Sequence, residues 1–137
     1  GREKAPAAIC RKVINAKINS IKKILVWGDG NQTRSFMYIG DCIEGIIKIF
    51  NSNYSKPINL GSSEQVSINN LINIVEKIAN VELIKEYQLD KPLGVRGRSS
   101  DNTLIRKVLE WEPNTSLEDG LKLTYSWIYK EIDKNKA

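Results

Sequence analysis

One stripe of apolar residues sets the terms for the fold. Ile68, Leu71, Ile72, Val75, Ile78 and Ala79 recur at helical spacing directly after Ser67, a residue suited to capping a helix. A helix that is apolar on one side must bury that side, at roughly 1.5–3 kcal/mol for each large side chain. The chain therefore needs other elements to cover it. Similar patterning predicts a first helix that starts near Pro6, runs through Ala16 and frays around Asn19-Ser20. Asp41 is expected as the N-cap of a helix carrying Ile43, Ile46, Ile47 and Phe50. Asp101 is expected to cap a short helix through Leu109 that Trp111-Glu112-Pro113 stops, because proline disfavours helical geometry in the residue before it. Ser116-Leu117-Glu118-Asp119 opens the last helix, with Leu117, Leu121, Thr124, Ile128 and Ile132 along one side. Short strands are predicted at 24–26, 33–39, 57–61 and 81–87, and Gly28-Asp29-Gly30 is read as a turn that reverses the first of them. The resulting expectation is an α/β domain with a small mixed sheet and several helices, occupying residues 1–137.

Composition narrows the functional classes. A length of 137 residues fits one domain, and 41% hydrophobic with 27% charged residues is an ordinary globular balance. A net charge of +5 favours an anionic partner, although scattered lysines such as Lys22, Lys23 and Lys130 read as solvated surface. Histidine is absent, which removes His-based metal sites and the Ser-His-Asp and Cys-His nucleophilic arrangements. Proton transfer is left to lysine, cysteine, tyrosine or a carboxylate. Cys10 and Cys42 lack a C-x-x-C spacing and read as free buried thiols in a reducing, cytoplasmic setting. No run of 18 apolar residues and no signal-peptide pattern is present, so membrane insertion is not expected.

The segment from Val26 to Asp41 carries most of the functional information. A tight glycine turn leads to the polar donors Gln32 and Arg34 and then to an alternating apolar stretch ending on Asp41. A planar guanidinium donates two parallel hydrogen bonds to phosphate oxygens, which makes Arg34 and Arg98 candidates for an anionic ligand. Arg96, separated from Arg98 by a single glycine, offers the same chemistry. Lys12 lies eight residues beyond Lys4, a spacing that brings both to similar faces of one helix. Trp27, Trp111 and Trp127 read as packing residues, and Asp41 as a cap rather than a catalytic carboxylate.

Four landmarks, in this order, resemble the substrate-binding part of extended short-chain dehydrogenase/reductases that act on nucleotide sugars. They are Trp27-Gly-Asp-Gly-Asn-Gln-Thr-Arg-Ser-Phe36 with the later Asp41, then Asn59-Leu-Gly-Ser62, then Arg96-Gly-Arg-Ser-Ser-Asp101, then Leu109-Glu-Trp-Glu-Pro113 leading to Leu117-Glu-Asp-Gly-Leu121. Within that class, Glu3-Lys-Ala-Pro-Ala-Ala8 with Cys10-Arg-Lys12, Gln32-Thr-Arg34 and Val95-Arg-Gly-Arg98 resemble the GDP-mannose 3,5-epimerases.

The resemblance implies an isomerase that oxidises a GDP-hexose transiently at C4 with NAD and exchanges the acidified C3 and C5 protons. It implies Lys4 as one of two acid/base groups, the other lying outside this chain. Glu3, Ala5, Lys12, Gln32 and Thr33 are implied as further substrate contacts beside Arg34 and Arg98. A lysine does such work when desolvation or nearby cations lower its pKa, a role expected here of Arg2 and Lys12 and opposed by Glu3. The sequence departs from the family by lacking both G-x-x-G-x-x-G after a first strand and a Tyr-x-x-x-Lys pair. The Rossmann half that binds NAD is thus expected elsewhere, this chain being either an excised fragment, which the start at Gly1 without methionine favours, or one piece of a split protein, inactive alone, from an enzyme that dimerises with its own kind. Three other readings stay open: the substrate domain of a UDP-glucose 4-epimerase-like enzyme, a basic nucleic-acid-binding module, and an interaction domain. No basic helix and no aromatic stacking track supports the second.

Overall fold

The computed structural model describes residues 3–92 and 94–134. Arg2, Leu93 and the tail from 135 to 137 lie outside the described residues. Among the described residues, nine elements follow in the order α1 (Ala5–Ile18), β1 (Lys23–Trp27), β2 (Thr33–Ser35), α2 (Ile39–Phe50), β3 (Gln65–Ser67), α3 (Ile68–Ala79), β4 (Ile84–Gln88), α4 (Thr103–Leu109) and α5 (Leu117–Lys134). This is the α/β, helix-rich architecture expected.

The core is built by α1, α3 and α5, which pack on one another. Val13 and Ile14 of α1, Leu71 and Val75 of α3 and Leu121 of α5 meet there, with Ile24 and Val26 closing one side. Local signals define these helices. Pro6 sits in the first turn of α1, where its missing N–H removes no helical bond. Beyond Ile18, Ser20 adopts a left-handed φ of 55° while the Ile21 N–H reaches back to the Ala16 carbonyl at 2.9 Å. Asn80 closes α3 in the same way, at φ 52°, with the Val81 N–H on the Glu76 carbonyl at 3.1 Å. At the other end of α3 the Ser67 hydroxyl accepts the Asn70 N–H at 3.1 Å, the cap read from the sequence. Ser116 likewise accepts the Asp119 N–H at 3.1 Å and donates to its carboxylate at 2.6 Å.

The strands depart from expectation. The mixed sheet takes the form of two ladders, β1 parallel to β4 and β2 antiparallel to β3. Gly28-Asp29-Gly30 therefore does not fold β1 back onto β2. Its glycines turn at φ 72° and 73°, and they deliver the chain to a different sheet. The segment expected as strand 33–39 keeps only Thr33–Ser35, because Ile39 already begins α2. Residues 57–61 are not a strand, and β3 was missed, since three residues carry too little period to read.

Asp41 is a second correction. It lies inside the first turn of α2, whose N-cap position is Tyr38 with no side-chain bond. Its buried carboxylate instead accepts the N–H and the hydroxyl of Thr115, both at 2.9 Å. That contact ties α2 to the segment entering α5. The buried side of α2 consists of Asp41 and Gly45, whereas Ile43, Ile46 and Ile47 are about half exposed and Phe50 is 85% exposed. A Cβ on Gly45 would stand 2.5 Å from Leu60 Cδ1 and 2.9 Å from the Trp111 ring. Gly45→Ala is accordingly expected to cost about 1–3 kcal/mol by overpacking. A denaturant melt should show Leu60→Ala recovering part of that loss in the double variant, through a non-additive coupling.

Candidate functional site

Backbone pairing assembles the basic part of the site. The Thr33 N–H donates to the Arg96 carbonyl at 2.8 Å and the Ser35 N–H to the Arg98 carbonyl at 3.1 Å. Residues 94–98 therefore run parallel to β2 as a strap on the edge opposite β3. Arg34, Arg96 and Arg98 thus share one edge of a small sheet, although they are distant in sequence. Arg34 is half-buried, and its guanidinium donates to the Thr33 carbonyl at 2.6 Å. Arg96 and Arg98 are exposed. Asp29 faces Arg96, and its carboxyl is held below the usual range first by the Asn31 N–H, then by the Asn31 side chain, with Arg96 contributing less.

A second feature adjoins this edge. A cleft of about 860 Å³ opens between the start of α1, the β2–α2 connection and α5. Glu3, Lys4, Phe36, Tyr38, Leu121 and Trp127 are among its lining residues. Lys4 is the N-cap residue of α1, in extended geometry, with its carbonyl accepting the Ala8 N–H at 3.0 Å. Phe36 is two residues past Arg34, so the backbone separation between arginine edge and cleft is at most about 7 Å at that point. Arg34 and Arg98 do not themselves line the cleft.

The other expected contacts fall in two groups. Glu3 pairs with Arg11 at 2.5 Å, and its carboxyl is lowered by a bond to its own backbone and then by that guanidinium. Ala5 packs against the core. Lys12 does not share the Lys4 cleft: its ammonium donates to the Leu25 carbonyl at 2.9 Å, and burial, then Arg11, hold it below the ordinary lysine range. Gln32 donates to the Trp27 carbonyl at 3.2 Å. Leu25 and Trp27 are two residues apart and so present these carbonyls on the same edge of β1. The opposite edge is paired with β4, as the Ile84 N–H on Lys22 and the Gly28 N–H on Gln88 show. Lys12 and Gln32 hence cover an otherwise open strand edge.

Both cysteines are free. Cys10 is buried, and loss of solvent pushes its thiol up to about 12, which keeps it protonated and inert. Cys42 is only half-buried. Trp111 packs beneath Gly45 as expected, whereas Trp27 and Trp127 are 55% and 65% exposed. The cleft walls from α5 were missed because nothing local marks Leu123 or Trp127 as lining the same cleft as Phe36. A small residue at 120, whose Cβ would lie 3.3 Å from Tyr38, was the only hint.

The residues present do not fit a dinucleotide. Among the described residues no glycine-rich strand-to-helix turn is available, and the space beside Gly30 that an open phosphate cradle would leave is filled by the Asn69 side chain. Among the described residues, no helix is long and apolar enough to cross a membrane.

Comparison with known proteins decides the family. The model for GDP-mannose 4,6-dehydratase matches residues 1–124. The chain belongs to that family. It is 46% identical over all 137 residues to GDP-mannose 3,5-epimerase 1 of Oryza sativa subsp. indica and 45% identical to the Arabidopsis thaliana enzyme. It spans 35% of the length of each of these curated relatives. Among solved structures, UDP-glucose 4-epimerase of Thermotoga maritima superposes with a TM-score of 0.86 at 23% identity, over 96% of this chain and 41% of that one. UDP-glucuronic acid 4-epimerase of Bacillus cereus, solved with UDP-glucuronic acid and NAD, gives 0.78 at 30% identity over 90% and 40%. The family thus shares the extended dehydrogenase/reductase fold, and the resemblance read from the four landmarks holds.

Proposed function

We propose that this chain is the nucleotide-sugar-binding part, residues 1–137, of a GDP-mannose 3,5-epimerase. The observation that carries the reading is the pairing of the 94–98 strap with β2, which brings Arg34 and Arg98 to one edge beside the Lys4 cleft. Two guanidinium groups at one edge neutralise and orient a diphosphate through charge-assisted bonds. Lys4, which lines the cleft, carries a proton at Nζ to or from the hexose, with Glu3 and Thr33 adding polar contacts. Lys12 and Gln32, whose donors are taken by the Leu25 and Trp27 carbonyls, serve the site by holding the β1 edge in place.

Support for the substrate class comes from the GDP-mannose epimerases, whose identity to this chain exceeds that of the UDP-sugar enzymes above. NAD, in this reading, resides on a Rossmann half, since the residues here do not hold it. The surface fits such a partner: Ile43, Ile46, Ile47 and Phe50 form an exposed apolar face on α2 that continues through Ile39 into the cleft. The two free cysteines suit a cytoplasmic setting. The homodimer of the whole enzyme rests on the family resemblance alone.

Calorimetric titration of the 137-residue chain with GDP-mannose, GDP and UDP-glucose tests the proposal. Heat is expected with the two guanosine ligands and less with UDP-glucose, without turnover of any of them. Absence of heat with every ligand overturns the binding role. Epimerisation by the chain alone overturns the assignment of the hydride carrier to another half.

A further inference from the structure

Two glycines lie in the strap, Gly94 two residues before Arg96 and Gly97 between Arg96 and Arg98, and neither helix capping nor a tight hairpin explains them both. Gly94 turns at φ 66°, and a Cβ there would meet Arg34 Nη2 at 3.4 Å. Gly97 has no such backbone requirement. A Cβ on it would instead stand 2.9 Å from Thr33 Oγ1, inside van der Waals contact. Thr33 has little freedom to yield. It is β-branched and stiff about χ1, its hydroxyl donates to Gln65 Oε1 at 3.4 Å, and its N–H is bound to the Arg96 carbonyl at 2.8 Å. The strap is the element that moves, since residues 94–98 are exposed and are held to β2 by the backbone bonds from Thr33 and Ser35.

We infer that Gly97 is a positioning residue, whose missing side chain lets the strap lie against Thr33 so that Arg98 and Arg34 serve one diphosphate together. The inference rests on the nucleotide-sugar reading and specifies how the two arginines are held in register. A methyl group at position 97 lifts the strap from β2, lengthens the Ser35–Arg98 bond and moves one guanidinium off the second phosphate. A ligand with a single phosphate needs only one arginine and is spared. The readout is therefore the ratio of GDP to GMP affinity, which a general loss of folded protein does not change.

The test is a double-mutant cycle on the chain with GDP and GMP as ligands, comparing wild type, Gly97→Ala, Thr33→Ala and the double variant. Gly97→Ala is expected to weaken GDP about tenfold, as small displacements of binding groups do, with GMP changed less than about twofold. In the Thr33→Ala background, where the obstructing hydroxyl is gone, the same substitution should cost GDP less than about twofold. An unchanged GDP to GMP ratio in Gly97→Ala, in a wild type that prefers GDP, overturns the inference and leaves the arginine pair standing. An equal loss in both backgrounds also overturns it. A wild type with no preference for GDP over GMP overturns the diphosphate reading, and the positioning role falls with it.

Discussion

Arg34→Ala is expected to lower the affinity of the chain for GDP-mannose and GDP by about 10- to 100-fold, because a hydrogen bond to a charged group contributes roughly 1.5–3 kcal/mol. Arg34 is the half-buried member of the arginine group, and its bond to the Thr33 carbonyl already fixes the direction of the guanidinium. Less side-chain entropy is then lost on binding than for an exposed arginine. Arg34→Lys should recover little of the loss, since an ammonium retains the charge but not the planar fork. Calorimetry checks both variants. Heats equal to wild type for Arg34→Ala would remove this residue from the binding site. Alanine at the exposed Arg98 is expected to have the smaller effect of the two, and its deficit should shrink further as salt is added.

Asp41→Ala is expected to destabilise the fold by about 2–4 kcal/mol without touching a ligand. The carboxylate is 5% exposed and accepts two bonds from Thr115, so its removal leaves a partly buried N–H and hydroxyl without their acceptor. The same connection is held from the other side by Glu64, whose carboxylate accepts the Leu117 N–H at 3.0 Å. Loss of both anchors should free the start of α5, which forms one wall of the cleft. Chemical denaturation of Asp41→Ala, Glu64→Ala and the double variant measures this. Asp41→Asn should retain part of the stability, because an amide oxygen replaces only one of the two acceptors. A melting profile for Asp41→Ala that matches wild type would show the Thr115 contact to be dispensable.

The contrast between these two residues shows what could be read in advance. Arg34 was singled out by residue type and by its position after a glycine turn, both visible along the chain. Asp41 was also visible, but its partner lies at position 115, and a short acceptor before an apolar run reads as a cap whether or not it is one. Ser67 and Ser116 fulfilled that same reading because a cap bonds only to residues two or three places on. The apolar stripe of α3 is buried, whereas the equally regular stripe of α2 is not. Periodicity states that a face is apolar and leaves open what covers it.

Strand pairing was the least legible feature. β2 and β3 have three residues each, too few to show alternation, and they exist as strands because they pair with one another. The Gly28–Gly30 turn predicts a change of direction but not the partner to which the chain is sent. Lys12 similarly has the helical spacing to join Lys4, yet the Leu25 carbonyl takes its ammonium.

By itself the amino-acid order determined the helices and the Ser67 cap, the lack of any imidazole chemistry, and the identities of the arginines and the lysine. Tertiary structure alone decided that residues 94–98 lie along β2, that α5 walls the Lys4 cleft, and that Asp41 anchors a distant loop. The division follows from range. Capping and helical period act over three or four neighbouring residues, whereas a sheet edge or a cleft exists only after segments far apart in the chain have paid the entropy of meeting.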